Sequence, residues 1–160
     1  MYTMPSVDDL NAILGNHISD FCTCELTDNS LNHCAHFVSH QAGFQFGYTC
    51  FNQTGKGSRE DRANIRVHEV FARCAAVGTW ANKPAVLTSG LIFITKTSNV
   101  NVATKVMGNI PKKHIGFFHN NTVWHYSNSR RQVVTMPDTT FSGHYSGSGF
   151  GLFYGEMPLI

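Results

Sequence analysis

The chain has 160 residues, 42% hydrophobic and 14% charged, with a formal net charge of +2. That length supports one well-buried core, so a single domain over residues 1–160 is expected. Lys and Arg form no dense block, and no apolar run approaches the ~18 residues of a membrane helix, so neither a nucleic-acid partner nor membrane insertion is expected.

The first ten residues lack the basic start and apolar stretch of a secretory signal, which predicts a protein made in the cytoplasm without a cleaved leader. Ser6 with Asp9 three positions on, then Leu10, Ile13, Leu14 and Gly15, predicts a short N-capped helix. A second helix is predicted from Asn29 to Gly43, capped by Asn29 or Ser30, with Ala35, Phe37, Val38 and Ala42 apolar and Gly43 ending it. Cys34 falls near its first turn. Residues 44–60, rich in Gly, Gln, Asn and Thr, read as a mobile connection, and Asp61 to Val77 reads as a third helix.

From residue 85 the chain turns to short β-prone runs: Leu91 to Thr95, His114 to His119, Thr122 to Ser127, Gln132 to Thr135 and Gly149 to Tyr154. These predict an antiparallel sheet. His119-Asn120-Asn121-Thr122 is a hairpin turn, because Asn tolerates positive φ, and it pairs the strand of His114 with that of His125. Residues 96–113 are too long for a tight turn and read as an inserted hairpin or lid.

Five cysteines, at 22, 24, 34, 50 and 74, are an odd number at irregular spacing, so at least one free thiol is expected. A thiol in the first turn of a helix meets the positive end of the macrodipole and free N–H groups, which favour the reactive thiolate and supply oxyanion donors. By spacing alone, a small buried hydrophobe is the plainer reading of Cys34. Taken singly, His114 is a strand-end histidine and His125 a half-buried one.

The stretch Asn32-His33-Cys34-Ala35-His36-Phe37-Val38, with His114-Ile115-Gly116-Phe117-Phe118 and Val123-Trp124-His125 much later, resembles the NlpC-like papain-fold peptidoglycan hydrolases. Thr88-Ser89-Gly90-Leu91-Ile92-Phe93 also looks like the turn and strand that precede the histidine strand in that family, with Leu91 where an acidic residue is usual. The resemblance spans roughly residues 30–135 and implies an α+β, papain-like (NlpC-type) fold, with N-terminal helices packed on a C-terminal antiparallel sheet. It further implies Cys34 as nucleophile, His114 as general base and acid, and His125 as the residue that orients His114. The implied activity is that of a cysteine peptidase or amidase on the peptide part of peptidoglycan, with peptide stems as partner and no cofactor.

The missing leader and single domain also resemble the amidase toxins delivered by type VI secretion systems. That version implies action in the periplasm or cell wall after delivery, and an immunity protein that occludes Cys34. The enzyme alternative is a thiol acyltransferase or deamidase on protein or lipid, served by the same Cys and His.

A different constellation is a metal site, because Cys22, Cys24, His33, Cys34, His36 and His40 crowd together and His36 and His40 lie one helical turn apart. It would belong to a non-catalytic, zinc-stabilised binding module. Cys-x-Cys is not the usual zinc knuckle and no second matched pair follows, so no metal is expected and His36 and His40 are read as surface or cleft residues. Arg130-Arg131 is read as solvated strand-end charge, and Trp80, Trp124, Tyr126, Tyr145 and Tyr154 as core.

Overall fold

The computed structural model describes residues 2–159. Its N-terminal part is helical: α1 (Val7–Ala12), α2 (Cys34–Ala42), α3 (Cys50–Thr54) and α4 (Val67–Arg73). Its C-terminal part is a six-stranded sheet in which every pairing is antiparallel, in the order β1 (Val77–Thr79), β8 (Phe150–Gly155), β2 (Ser89–Lys96), β5 (Lys113–His119), β6 (Thr122–Ser127), β7 (Gln132–Pro137). A short helix, α5 (Asp138–Phe141), follows β7. The architecture is α+β, helices first and antiparallel sheet after.

Burial on both faces explains the uninterrupted apolar run Leu91 to Ile94 within β2, since a strand covered on one side only would alternate. On one face Leu91, Phe93, Ile115, Phe117, Trp124 and Tyr126 pack under α2 and α4, against Phe37, Val38, Val70 and Phe71. On the other, Ile92, Ile94, Phe118 and Val123 are covered by Phe141 of α5 and by Trp80, Tyr145 and Phe150. Of the five aromatics read as core, Trp124 and Tyr126 are buried, and Trp80, Tyr145 and Tyr154 are partly buried against the sheet. Hydrocarbon burial at roughly 25 cal/mol per Å² on both faces makes this sheet the main source of stability.

The helix boundaries depart from the sequence reading. α1 has the expected capping box, with Ser6 Oγ accepting from the Asp9 N–H and the Asp9 carboxylate accepting from Ser6. α2 ends at Gly43 in the left-handed conformation, as expected, but begins at Cys34 instead of near Asn29. Asp28 causes the delay: its carboxylate accepts from the N–H and hydroxyl of Ser30, and its carbonyl takes the imidazole of His33, holding residues 28–33 in a turn. α4 begins at Val67, not Asp61, because the N–H of Asn64 goes to the Phe44 carbonyl and the carbonyl of Ala63 to Cys50.

Residues 44–60 are not a bare connection. Thr49 and Asn52 form a capping box that starts α3. Residues 96–113 form a hairpin of β3 (Val100–Asn101) and β4 (Val106–Met107), as one of the two expectations held, and Met107 is anchored in the core. The turn after β5 has Asn120 at φ 53°, the left-handed backbone its sequence predicted. Among the described residues no helix is long and apolar enough to cross a membrane.

Candidate functional site

Cys34 is the first residue of α2, and its own N–H is capped by Oδ1 of Asn32 at 3.0 Å. The Sγ lies beside the backbone N–H groups of Ile115 and Ala35, with the Lys113 ammonium nearby, and all three favour its thiolate. Burial dominates its titration and pushes the thiol up to about 11, while these N–H groups and Lys113 pull it back down. Cys34 therefore sits in the first turn of a helix, yet burial keeps the resting thiol protonated.

His114 and His125 come from neighbouring strands, with Gly116 between them in the register. Nε2 of His114 lies 2.8 Å from Nδ1 of His125. His144 stacks on His114 with ring centroids 4.0 Å apart, and Phe141 closes on both rings. Burial first, then His125 and His144, holds His114 well below the usual histidine range, and burial with His144 lowers His125 to about 4. Both rings are neutral. Nδ1 of His114 and Nε2 of His125 are buried with no partner.

The structure thus joins His114 to His125 and brings Cys34 to the backbone of Ile115, the residue directly after His114. Among the described residues no hydrogen bond links the thiol to either imidazole. The nitrogen that such a bond would use, Nδ1 of His114, is the unpartnered one. A thiolate–imidazolium pair is not formed in this state.

Gly116 is required by this arrangement. A Cβ there would lie 2.8 Å from the Trp124 carbonyl oxygen and 3.1 Å from the Cβ of His125.

Cys34 opens on a cleft of about 310 Å³ that also touches Arg66, His68 and Lys113 and is walled by Tyr48, Gln53 and Asn109. The guanidinium of Arg66 sits 4.1 Å over the Tyr48 ring and its Nη1 lies 3.6 Å from the Glu69 carboxylate. His68 is lowered by burial and then by Lys113, and its Nδ1 is buried without a partner. None of these cleft residues was singled out from sequence. Arg66 and His68 lie at the head of a helix read as core support, and nothing in their spacing relates them to Cys34.

A second cluster lies on the other side of α2. Sγ of Cys22, Sγ of Cys50 and one ring nitrogen each of His36 and His40 all lie within 4.8 Å of one another. His36 is fully buried, against the expectation of a surface or cleft residue, whereas His40 is half-buried and lines a cavity of about 260 Å³; each turns a ring nitrogen into the cluster. Of the sequence candidates for a metal, Cys22, His36 and His40 are gathered here, whereas Cys34 lies apart. Cys50, from the segment read as a connection, completes the set. All five cysteines are free. Arg130 and Arg131 are exposed on the turn before β7.

No family model, curated protein or solved structure matches this chain.

Proposed function

We propose that this protein is a cysteine-dependent amide hydrolase with a papain-like, NlpC-type arrangement, acting on the peptide part of peptidoglycan. The observation that carries the proposal is the buried His114–His125 pair, with Nδ1 of His114 unpartnered, on the strand whose Ile115 N–H lies beside the Cys34 sulfur.

The chemistry starts from neutral groups. The productive tautomer leaves Nδ1 of His114 bare, with its Nε2–H donating to Nδ1 of His125. As the Cys34 sulfur attacks the amide carbon, its proton passes to Nδ1 of His114 and the carbonyl electrons move onto oxygen. The tetrahedral intermediate collapses, the C–N bond breaks, and the imidazolium proton goes to the departing amine. His114 then takes a proton from water, hydroxide attacks the thioester, and the acid product and the thiol are released. The His125 acceptor stabilises the transient imidazolium. Apo geometry short of a thiol–imidazole bond is compatible with this sequence, because such bonds often tighten only with substrate bound.

Substrate class follows from the resemblance of the Cys34, His114 and His125 segments to peptidoglycan hydrolases and from the cationic cleft. Arg66 and Lys113 beside Cys34 suit the carboxylates of an acidic peptide stem. The proposal includes delivery to the periplasm as an antibacterial toxin of a type VI secretion system, with an immunity protein that covers Cys34.

The test is mass spectrometry of purified sacculi digested with wild type and with Cys34→Ala. New muropeptide ends made by wild type alone support the reading, and their masses name the bond. Intact sacculi after treatment with folded wild type would end the cell-wall assignment and turn attention to acyl transfer or deamidation on proteins.

A further inference from the structure

We infer that Cys22, His36, His40 and Cys50 form a structural zinc site that fastens the nucleophile helix to the segments on either side of it. The inference stands apart from the hydrolase reading, because metal content is measured without any substrate.

Geometry comes first. Zinc bonds of roughly 2.3 Å to sulfur and 2.0–2.1 Å to nitrogen put tetrahedral ligand atoms about 3.3–3.8 Å apart. The Nε2 atoms of His36 and His40 are 3.1 Å apart, Cys50 Sγ is 4.0 Å from His40 Nε2, and no pair of the four atoms exceeds 4.8 Å. Small side-chain shifts close this set on one ion. Two thiolates and two imidazoles select zinc over calcium or magnesium, which prefer oxygen. They also neutralise its charge, as burial of Cys22, His36 and Cys50 demands.

A second observation points the same way. Nε2 of His33 lies 2.7 Å from the Asp28 carbonyl, which can only accept, so that nitrogen carries hydrogen. In neutral His33 the Nδ1 is then a bare acceptor, and the Nδ1 of His36, 3.0 Å away, must donate to it. That leaves a lone pair on Nε2 of His36, aimed at the thiols. Outer partners of this kind orient metal-bound histidines and raise their basicity.

The local core needs such a fastening. The cluster around these residues is Cys22, Cys24, Leu26, Cys50 and Ala63, with only Phe51 and Ile65 packed against it, which is little apolar surface for three chain segments. Four protein ligands fill a tetrahedron, the closed pattern of a structural site. Binding releases the two thiol protons. The ion would join Cys22 ahead of α2, His36 and His40 on it, and Cys50 on α3, and so fix the helix that carries Cys34.

The experiment begins with elemental analysis of the purified wild-type protein, expected to hold one zinc per chain. Chelator-stripped protein refolded with cobalt(II) alone should show the visible absorption of a tetrahedral ion and thiolate-to-cobalt charge transfer. Cys50→Ser should lose the stoichiometric metal, and Cys34→Ala should keep it. Should Cys50→Ser fail to fold, His33→Gln, which touches no ligand atom of the ion, is expected to weaken zinc about 10- to 100-fold against a chromogenic chelator. Wild type with five free thiols and no uptake of zinc or cobalt, a disulfide within the cluster, or loss of metal in Cys34→Ala would each overturn the site.

Discussion

Nε2 of His114 lies 2.8 Å from Nδ1 of His125 in a space closed by Phe141 and His144, and the second nitrogen of each ring is buried without a partner. Two neutral imidazoles in a dry setting are poised to accept a proton from a neighbour and poorly placed to hold one from solvent. Stability responds to that, and so would the proposed catalysis.

Acid should therefore destabilise the fold through this pair. An unfolded histidine titrates near 6.5, whereas burial and then His144 hold His125 at about 4, and His114 is also well below its usual range. Between those values the unfolded chain binds protons that the folded chain refuses, so the stabilisation is full above about pH 6.5 and falls as pH drops toward 4. His125 accounts for roughly 3 kcal/mol across that window. Denaturant midpoints at about pH 7 and about pH 5 should differ less in His125→Gln than in wild type. An unchanged difference would mean that this ring does not carry the acid response.

Gly116→Ala should disconnect the pair. The added methyl carbon would sit 2.8 Å from a backbone oxygen of Trp124, which cannot move without β6, and 3.1 Å from the Cβ of His125. Overpacking of this kind costs about 1–3 kcal/mol. The expected result is a folded protein with a lowered melting temperature and little amidase activity. Wild-type activity in Gly116→Ala would show that the His125 contact is dispensable.

Much of this pair was legible in the sequence, and the reasons are local. Strand runs around His114 and His125 joined by an Asn-Asn turn fix their register, because an antiparallel hairpin leaves few alternatives. Gly43 marks the end of α2 for the same reason. Its start was not legible, since Asp28 and His33 build a turn from side-chain bonds that no helical period reveals. Neither was the three-residue strand β1, which exists only by pairing with β8. The cleft around Cys34 escaped notice because its members meet only in three dimensions, and of the metal-ligand cluster the sequence showed Cys22, His36 and His40 but not Cys50. Cys50 joins His36 and His40 through a segment whose composition reads as loop.

Cys34 should alkylate slowly at neutral pH despite its place at a helix start. Burial pushes the thiol up to about 11, against the pull of the Ile115 and Ala35 N–H groups and Lys113. Since the thiolate is the reacting form, the rate at Cys34, followed by peptide mass spectrometry, should rise about tenfold per pH unit up to the stability limit of the fold. Lys113→Met removes the nearby cation and should slow it further at every pH. Rapid labelling at neutral pH would mean that a thiolate–imidazolium pair forms in solution.

Two histidines, His114 and His68, have an unpartnered buried Nδ1, and mutation should separate their roles. His114 carries a hydrogen-bonded orienting partner, whereas His68 shares the cleft with Cys34 and is set against the cation of Lys113. His114→Ala should lower kcat by about 10²–10⁴ with the fold retained, in line with loss of general base catalysis. His68→Ala should change kcat less than about tenfold. The reverse ranking would transfer the base to His68 and leave the His114–His125 pair a structural role.

Arg66 offers the cleanest test of the proposed substrate binding, because it lines the cleft on which Cys34 opens. Its guanidinium is held flat over Tyr48 at 4.1 Å and is only loosely paired with Glu69 at 3.6 Å, so donor positions remain for a carboxylate. A bidentate contact made equally in ground and transition states affects KM and leaves kcat alone. Arg66→Ala is expected to raise KM for an acidic peptide-stem substrate about tenfold, with kcat within about twofold, and Arg66→Lys to recover only part of the loss because an ammonium cannot form the fork. Equal KM values for wild type and Arg66→Ala would take carboxylate recognition away from this cleft. A matched fall in kcat would instead mean that Arg66 acts on the reacting group itself.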